Sequence, residues 1–100
     1  MKNCLSSGSK TASAAIKAGA GFLHGIMIAN DGTNAITLNI YDNDDAASGT
    51  KLIPETIITA SATDRFKQIT FNNPVIAIDG IYVSVSVAGG GSCAYVAYFK

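Results

Sequence analysis

Tryptophan is absent from this chain, histidine occurs once, and cysteine and proline occur twice each. Charge is sparse too. Seven Lys and Arg balance seven Asp and Glu, so charged side chains make up 14% of the sequence, against about 25% in ordinary soluble domains. Each shortage removes a class of function. Nucleic-acid binding calls for a basic stripe that neutralises phosphates, and none is visible. A single histidine cannot build a metal cluster. Cys4 and Cys93 lie too far apart for a metal-ligand spacing, and they are expected to stay reduced in the cytoplasm where the chain is made. No apolar run approaches the roughly 18 residues that span a bilayer. The opening "MKNCLSSGSK" has no apolar core, so it does not read as a secretory signal.

What remains is cohesive. Hydrophobic residues make up 48% of the 100 positions. With zero formal net charge and no bilayer to enter, that surplus is expected to be buried against protein. A chain this short buries only about two-thirds of its unfolded surface, so neighbouring subunits often complete the burial.

β signals run through most of the chain. "NAITLNIYD" (34–42) alternates, with Ile36, Leu38 and Ile40 on one face and Thr37, Asn39 and Tyr41 on the other. "IYVSVSVA" (81–88) does the same: Ile81, Val83, Val85 and Val87 face in, while Tyr82, Ser84 and Ser86 face out. A period of two marks a half-buried strand. Further strands are expected over 11–18, where alanines leave a short helix as the alternative, and over 22–30, 52–60, 65–71, 75–79 and 93–100. Pro54 is expected on an edge strand or at a strand start. Asp31-Gly32 and Asp79-Gly80 read as tight hairpin turns, "NNP" (72–74) as another turn, and "GGGS" (89–92) as a long flexible one. Residues 1–10, rich in Ser, Gly, Lys and Asn, read as a flexible N-terminal arm ahead of a single domain over 11–100. The fold class is all-β: a small β-sandwich or jelly roll of about eight antiparallel strands.

Candidate sites are few. "IYDNDDAASGT" (40–50) packs Asp42, Asp44 and Asp45 into four positions. An EF-hand loop counted from Asp42 needs Gly at its sixth position and Glu at its twelfth, and the chain has Ala47 and Ile53 there. An irregular calcium site on Asp42, Asn43 and Asp44 is weaker than the plain alternative, a polar turn in which Asp and Asn bond their own backbone. As a catalytic pair these carboxylates lack an apolar pocket to separate their pKa values. His24 falls on one predicted face with Phe22, Ile26 and Ile28 and reads as a packed or contact residue, not a base or ligand. "GAGFLHG" (19–25) has the wrong spacing for a dinucleotide loop and leads into a strand, and "GGGSC" (89–93) is no phosphate loop. Catalytic, cofactor and metal residues are therefore expected to be none, and the protein is not expected to be an enzyme. A carbohydrate-binding sandwich is the alternative class: no tryptophan serves it, but Tyr41 and Tyr82 point away from the predicted core, and Tyr95 and Tyr98 add two more rings.

The run "AGAGFLHGIMIANDGTNAITLNIYDNDDAASGTKLIP" (18–54) resembles a pattern recurring in small phage virion proteins. The residues that carry it are Leu23, His24, Gly25, Gly32, Thr33, Tyr41, Asp42, Asn43, Ser48, Gly49 and Thr50. The second half agrees only in style, through "NPV", "DGIYVSVS" and a final aromatic strand. The resemblance implies a non-enzymatic β-sandwich used as a capsid decoration (cement) protein, with tail or head-fibre association as the alternative. It implies the major capsid protein or other virion proteins as partners, self-association as a trimer or ring, no nucleic acid and no membrane. The expected location is the virion, after synthesis in the bacterial host cytoplasm.

Overall fold

The protein is described here by a computed structural model, over residues 4–100. Among these residues the chain forms eight strands: β1 (Leu5–Ser6), β2 (Ala14–Ala18), β3 (Gly21–Asn30), β4 (Ile36–Tyr41), β5 (Lys51–Ile58), β6 (Phe66–Ala77), β7 (Gly80–Val87) and β8 (Cys93–Phe99). They assemble into two four-stranded antiparallel sheets, in the orders β1-β8-β3-β6 and β2-β7-β4-β5. The all-β class follows from the alternation that the sequence shows. Ile36, Leu38 and Ile40 on β4 and Ile81 and Val83 on β7 are fully buried, and they meet Leu23, Ile26 and Ile28 of β3 and Tyr95 and Ala97 of β8. One apolar face per sheet, closed against the other, is the condition for a sandwich core.

The pairing is nested. β4 pairs with β5, β3 with β6, β2 with β7 and β1 with β8. One long hairpin with β4–β5 at its tip, folded over on itself, produces this order. The β4–β5 connection is the only hairpin among the eight strands, because every other consecutive pair lies in opposite sheets. Three sequence expectations therefore need correction. Asp31-Gly32 and Asp79-Gly80 are sheet-to-sheet crossings, and so is the glycine run after β7, which makes a short 3-10 turn over Ala88–Gly90. Gly32 has the positive φ (86°) that its turn requires. Gly80 serves close approach, since a Cβ there would lie 2.8 Å from the Cα of Asp44 and 2.9 Å from the carbonyl oxygen of Asn43.

"NNP" is no turn at all. β6 runs on from Phe66 to Ala77, and its register against β3 jumps from Val75 opposite Leu23 to Thr70 opposite Gly25. Residues 71–74 thus bulge from an edge strand, where Pro74 leaves no ladder donor missing. Against β8, Leu23 pairs with Phe99 and Gly25 with Tyr98, which leaves His24 as the extra residue of a bulge. That bulge inverts the alternation of β3. Leu23 is buried before it and Ile26 and Ile28 after it, whereas Phe22 is 43% exposed and does not share their face. Gly25 is required there, because a Cβ would fall 2.5 Å from the backbone oxygen of Ile69.

The expected arm is described from Cys4 onward, and residues 1–3 lie outside the described residues. From Leu5 the chain runs along the outer edge of β8. Ser7 N–H donates to the Ala97 carbonyl at 2.9 Å, and Lys10 and Tyr95 exchange two backbone bonds of 2.8 Å. The Ser7 hydroxyl also accepts the Ala97 N–H at 2.9 Å, and the segment closes an otherwise open sheet edge.

Candidate functional site

The acidic loop is the β4–β5 hairpin connection, closed by the Asp42 N–H donating to the Thr50 carbonyl at 2.7 Å. Asp42 does not face its neighbours in sequence. Its carboxylate accepts the N–H groups of Ile78, Asp79 and Gly80 at 3.0, 2.7 and 3.3 Å, across 36 to 38 residues of chain. Three successive N–H groups in the β6–β7 crossing form a concave anion seat, and the carboxylate fills it. The Ile78 N–H above all, helped by those of Asp79 and Gly80 and opposed by partial desolvation, holds the Asp42 carboxyl below the usual carboxylate range. Asn43 Oδ1 accepts the N–H groups of Asp45 and Ala46, both at 2.9 Å, while its Nδ2 donates to Ser48. The Asp42 oxygens thus serve the β6–β7 crossing, and the Asn43 side-chain oxygen serves its own turn. Asp44 and Asp45 are exposed. Among the described residues no group of three His, Cys, Asp or Glu side chains could hold a metal ion.

A second carboxylate does the same work at the other end of the sandwich. Asp31, just after β3, accepts the N–H groups of Thr33 and Asn34 at 2.9 and 2.8 Å on Oδ1. Its Oδ2 takes Asn34 Nδ2 at 2.8 Å and the Ser92 N–H at 3.1 Å. The Asn34 side chain, then these backbone donors, hold the Asp31 carboxyl far below its ordinary value. Asp42 ties the β4–β5 hairpin to the β6–β7 crossing and Asp31 ties the β3–β4 crossing to the β7–β8 crossing, and sequence spacing gives no hint of either distant partner.

His24 is half-buried in its bulge, and among the described residues its ring makes no hydrogen bond with which to act as a base. Cys93 is buried, and desolvation, with the Asp31 charge nearby, pushes its thiol up, away from nucleophilic use. Tyr95 turns inward, donates to the Ala12 carbonyl at 2.7 Å, and is pushed up to about 12 by burial.

The two outer sheet faces differ. Outside the β2-β7-β4-β5 sheet, Tyr41 and Tyr82 are register partners, as are Asn39 and Ser84 and, beside them, Thr37 and Ser86. The Lys51 amine lies 5.9 Å from the centre of the Tyr41 ring. Asn39, expected to face solvent, is nearly buried. The register of β5 slips between Thr56 and Ile53, and Asn39 Nδ2 reaches Glu55 at 3.4 Å while its Oδ1 has no partner among the described residues. Outside the other sheet, β3 and β8 present a largely apolar strip, with Thr70 and Gln68 of β6 beside it. Gly25, Met27 and Ala29 of β3 alternate with the buried Ile26 and Ile28, and their cross-strand partners are Tyr98, Val96 and Ala94 on β8.

No family model matches the chain, and neither a curated protein nor a solved structure matches it.

Proposed function

We propose that this chain is a non-enzymatic phage virion structural protein, a capsid decoration protein that works by binding neighbours. The observation that carries the reading is the distribution of exposed apolar side chains. Phe22, Phe66 and Ile76 stand on or beside the outer face of one sheet, Ile57 on the outer side of the other opposite Thr37, and Ile78 in the β6–β7 crossing, and all are at least 43% exposed. A small monomer seldom keeps so many large apolar groups in water without a partner to cover them. The two aspartates whose acidity is raised are spent on hydrogen-bond donors of the fold itself, the Asn34 side chain and backbone N–H groups. We read the nested strand order as that of a jelly roll, an architecture common in capsid proteins. The resemblance of residues 18–54 to small virion proteins supplies the setting, with the major capsid protein as partner and the assembled particle as location.

The test is binding of the purified protein to phage heads that lack it. Saturable co-sedimentation, with heads more resistant to heat afterwards, supports the reading. Absence of the protein from purified virions and failure to bind heads would sink it. The carbohydrate-binding alternative draws on one feature, the Tyr41–Tyr82 pair beside Asn39 and Ser84 on the polar face. A glycan array decides it: binding abolished by Tyr82→Ala would move the assignment to sugar recognition.

A further inference from the structure

We propose that the free edge of β6, over residues 66–70, receives an extended acidic segment of a partner protein, which joins the β1-β8-β3-β6 sheet as a further strand. The inference deepens the assembly reading above by naming how a neighbour attaches, and rests on that reading only for who the neighbour is. Its first support is the direction of the backbone. The Asn30 N–H donates to the Arg65 carbonyl at 2.6 Å, which sets the phase of the β3–β6 ladder. Main-chain groups alternate sides along an antiparallel strand, so Lys67 and Ile69 turn theirs to Ile28 and Ile26. The N–H and C=O groups of Phe66, Gln68 and Thr70 then point away from β3, where the sheet ends.

The second support is that the other sheet edges are guarded. β1 spans two residues, β2 bulges between Ala15 and Lys17, and β5 carries Pro54 and a register slip. Each of these devices discourages a further strand. On β6 the bulge lies over 71–74, and the stretch before it holds neither proline nor glycine. Those five residues extend about 14 Å and offer a main-chain donor and acceptor at every second position.

The third support names the partner's chemistry. Lys67 is the one charged residue of β6, and no Asp or Glu occurs from Phe66 to Ala77. A second copy pairing β6 to β6 would put two lysines into one ribbon with no carboxylate to meet them. An acidic residue directly opposite Lys67 supplies the missing charge, because cross-strand pairs of opposite sign stabilise a ladder. There is room for its side chain. A cleft of about 330 Å³ lies beside Lys67, between Ile57 and Ile58 at the end of β5, Ser61 and Asp64 in the loop, and Phe66. Side chains of an added strand alternate, so the one opposite Lys67 enters this cleft and those opposite Phe66 and Gln68 stay outside. Asp64 precedes the strand and lies beyond the added ladder.

The test is an NMR titration of the isotope-labelled full chain with the end-blocked peptides TVTETVT and TVTKTVT, whose central residue falls opposite Lys67. The glutamate peptide should shift the amide signals of Phe66, Gln68 and Thr70 saturably, with a dissociation constant on the order of 1 mM for so short a contact. The lysine peptide should bind about 3-fold more weakly or worse. Gln68→Pro removes an outward N–H and leaves the β3 ladder whole, so it should bind about 5-fold more weakly, while Gln68→Ala should bind as the wild type does. Thermal melts check folding. If Gln68→Pro does not fold, Lys67→Glu carries the comparison by reversing the preference between the peptides. No saturable shift below about 5 mM peptide, shifts centred elsewhere, or a preference for the lysine peptide overturns the inference. So does a concentration-dependent change at the same amides without peptide, which marks pairing between copies. A chain that decorates phage heads but binds neither peptide overturns this edge and leaves the assembly reading standing. A chain that binds the glutamate peptide as expected but no heads does the reverse.

Discussion

Replacing Asp42 tests whether the acidic loop exists to fasten the two sheets. Its Oδ1 accepts from Ile78, Asp79 and Gly80 and its Oδ2 from Ile78 alone, so substitution can remove the contacts in steps. Asp42→Asn keeps an oxygen at the Oδ1 position but loses the charge and sets an N–H₂ against the Ile78 N–H. Asp42→Ala removes every acceptor. A hydrogen bond to a charged group is worth about 1.5–3 kcal/mol, but this carboxylate is near the surface and water can replace it in part. The loss for Asp42→Ala is therefore about 1–2 kcal/mol in total, with roughly half for Asp42→Asn. In a domain of this size that lowers the melting temperature by about 5–12 °C for alanine. The dependence on pH separates this account from a generic loop defect. The carboxyl's acidity is increased by folding, so its stabilisation is fully present above the unfolded value near 3.8 and is lost as pH falls through the lower folded value. The gap between wild type and Asp42→Ala in urea melts should hold from pH 7 to about 4.5 and narrow toward pH 2. Calcium and chelator should leave the wild-type midpoint alone, whereas an ion at a hundred times its dissociation constant would add about 2.7 kcal/mol. An alanine variant within 1 °C of wild type, or a calcium-dependent shift abolished by Asp42→Ala, would refute the fastening role.

Three further outcomes are expected. Gly25→Ala should cost about 1–3 kcal/mol in chemical melts, because the new methyl meets the backbone of Ile69 in β6, which must shift; a neutral result would show that the edge strand yields freely. In a spectrophotometric titration, one of the four tyrosines should ionise only near pH 12. Tyr95 is that group, its acidity weakened by folding, so its stabilisation is complete below the unfolded value of 10 and lost as pH rises through 12. Tyr95→Phe should remove the late transition. Deleting residues 4–9 should lower the melting temperature by several degrees, since it uncovers the edge of β8 and strips partners from the backbone of Ala97; an unchanged midpoint would mean that the segment only rests on the sheet.

Strand positions were legible wherever one face is buried. Ile36, Leu38 and Ile40, like Ile81 and Val83, carry a period of two that only a half-buried strand requires, and all five are fully buried. Connectivity was not legible, because turn residues report local backbone need and not where the chain goes next. Asp31-Gly32 bends the chain as a hairpin would, yet it hands it to the other sheet. The inverted alternation of β3 was hidden for a related reason. A bulge adds one residue without changing composition, and its single trace is Gly25, which the sequence offers equally to a turn. Asp42 looked like one of three equivalent carboxylates. What distinguishes it is a contact with residues 78–80, and no local pattern encodes a partner nearly forty positions away.

The difference between the two outer faces bears on how such a domain sits in an assembly. Both sheets give their inner faces to one core, so neither outer face is needed for folding and each is free to meet its own surroundings. One presents Thr37, Tyr41, Tyr82, Ser84 and Ser86, with Lys51, Glu55 and the exposed Ile57 alongside, and is mostly polar. The other presents Met27, Val96, Ala29 and Ala94 without a charge among them. The nested fold makes the contrast sharp, because consecutive strands, β4 and β5 excepted, alternate between sheets. β3 and β8, which supply the apolar face, are interleaved in sequence with β4 and β7, which supply the polar one. Strand 3 is thus apolar on both sides of its bulge while strand 4, six residues later, is apolar on one side only. A chain that buries that sheet against a neighbour and leaves the other to solvent needs this asymmetry.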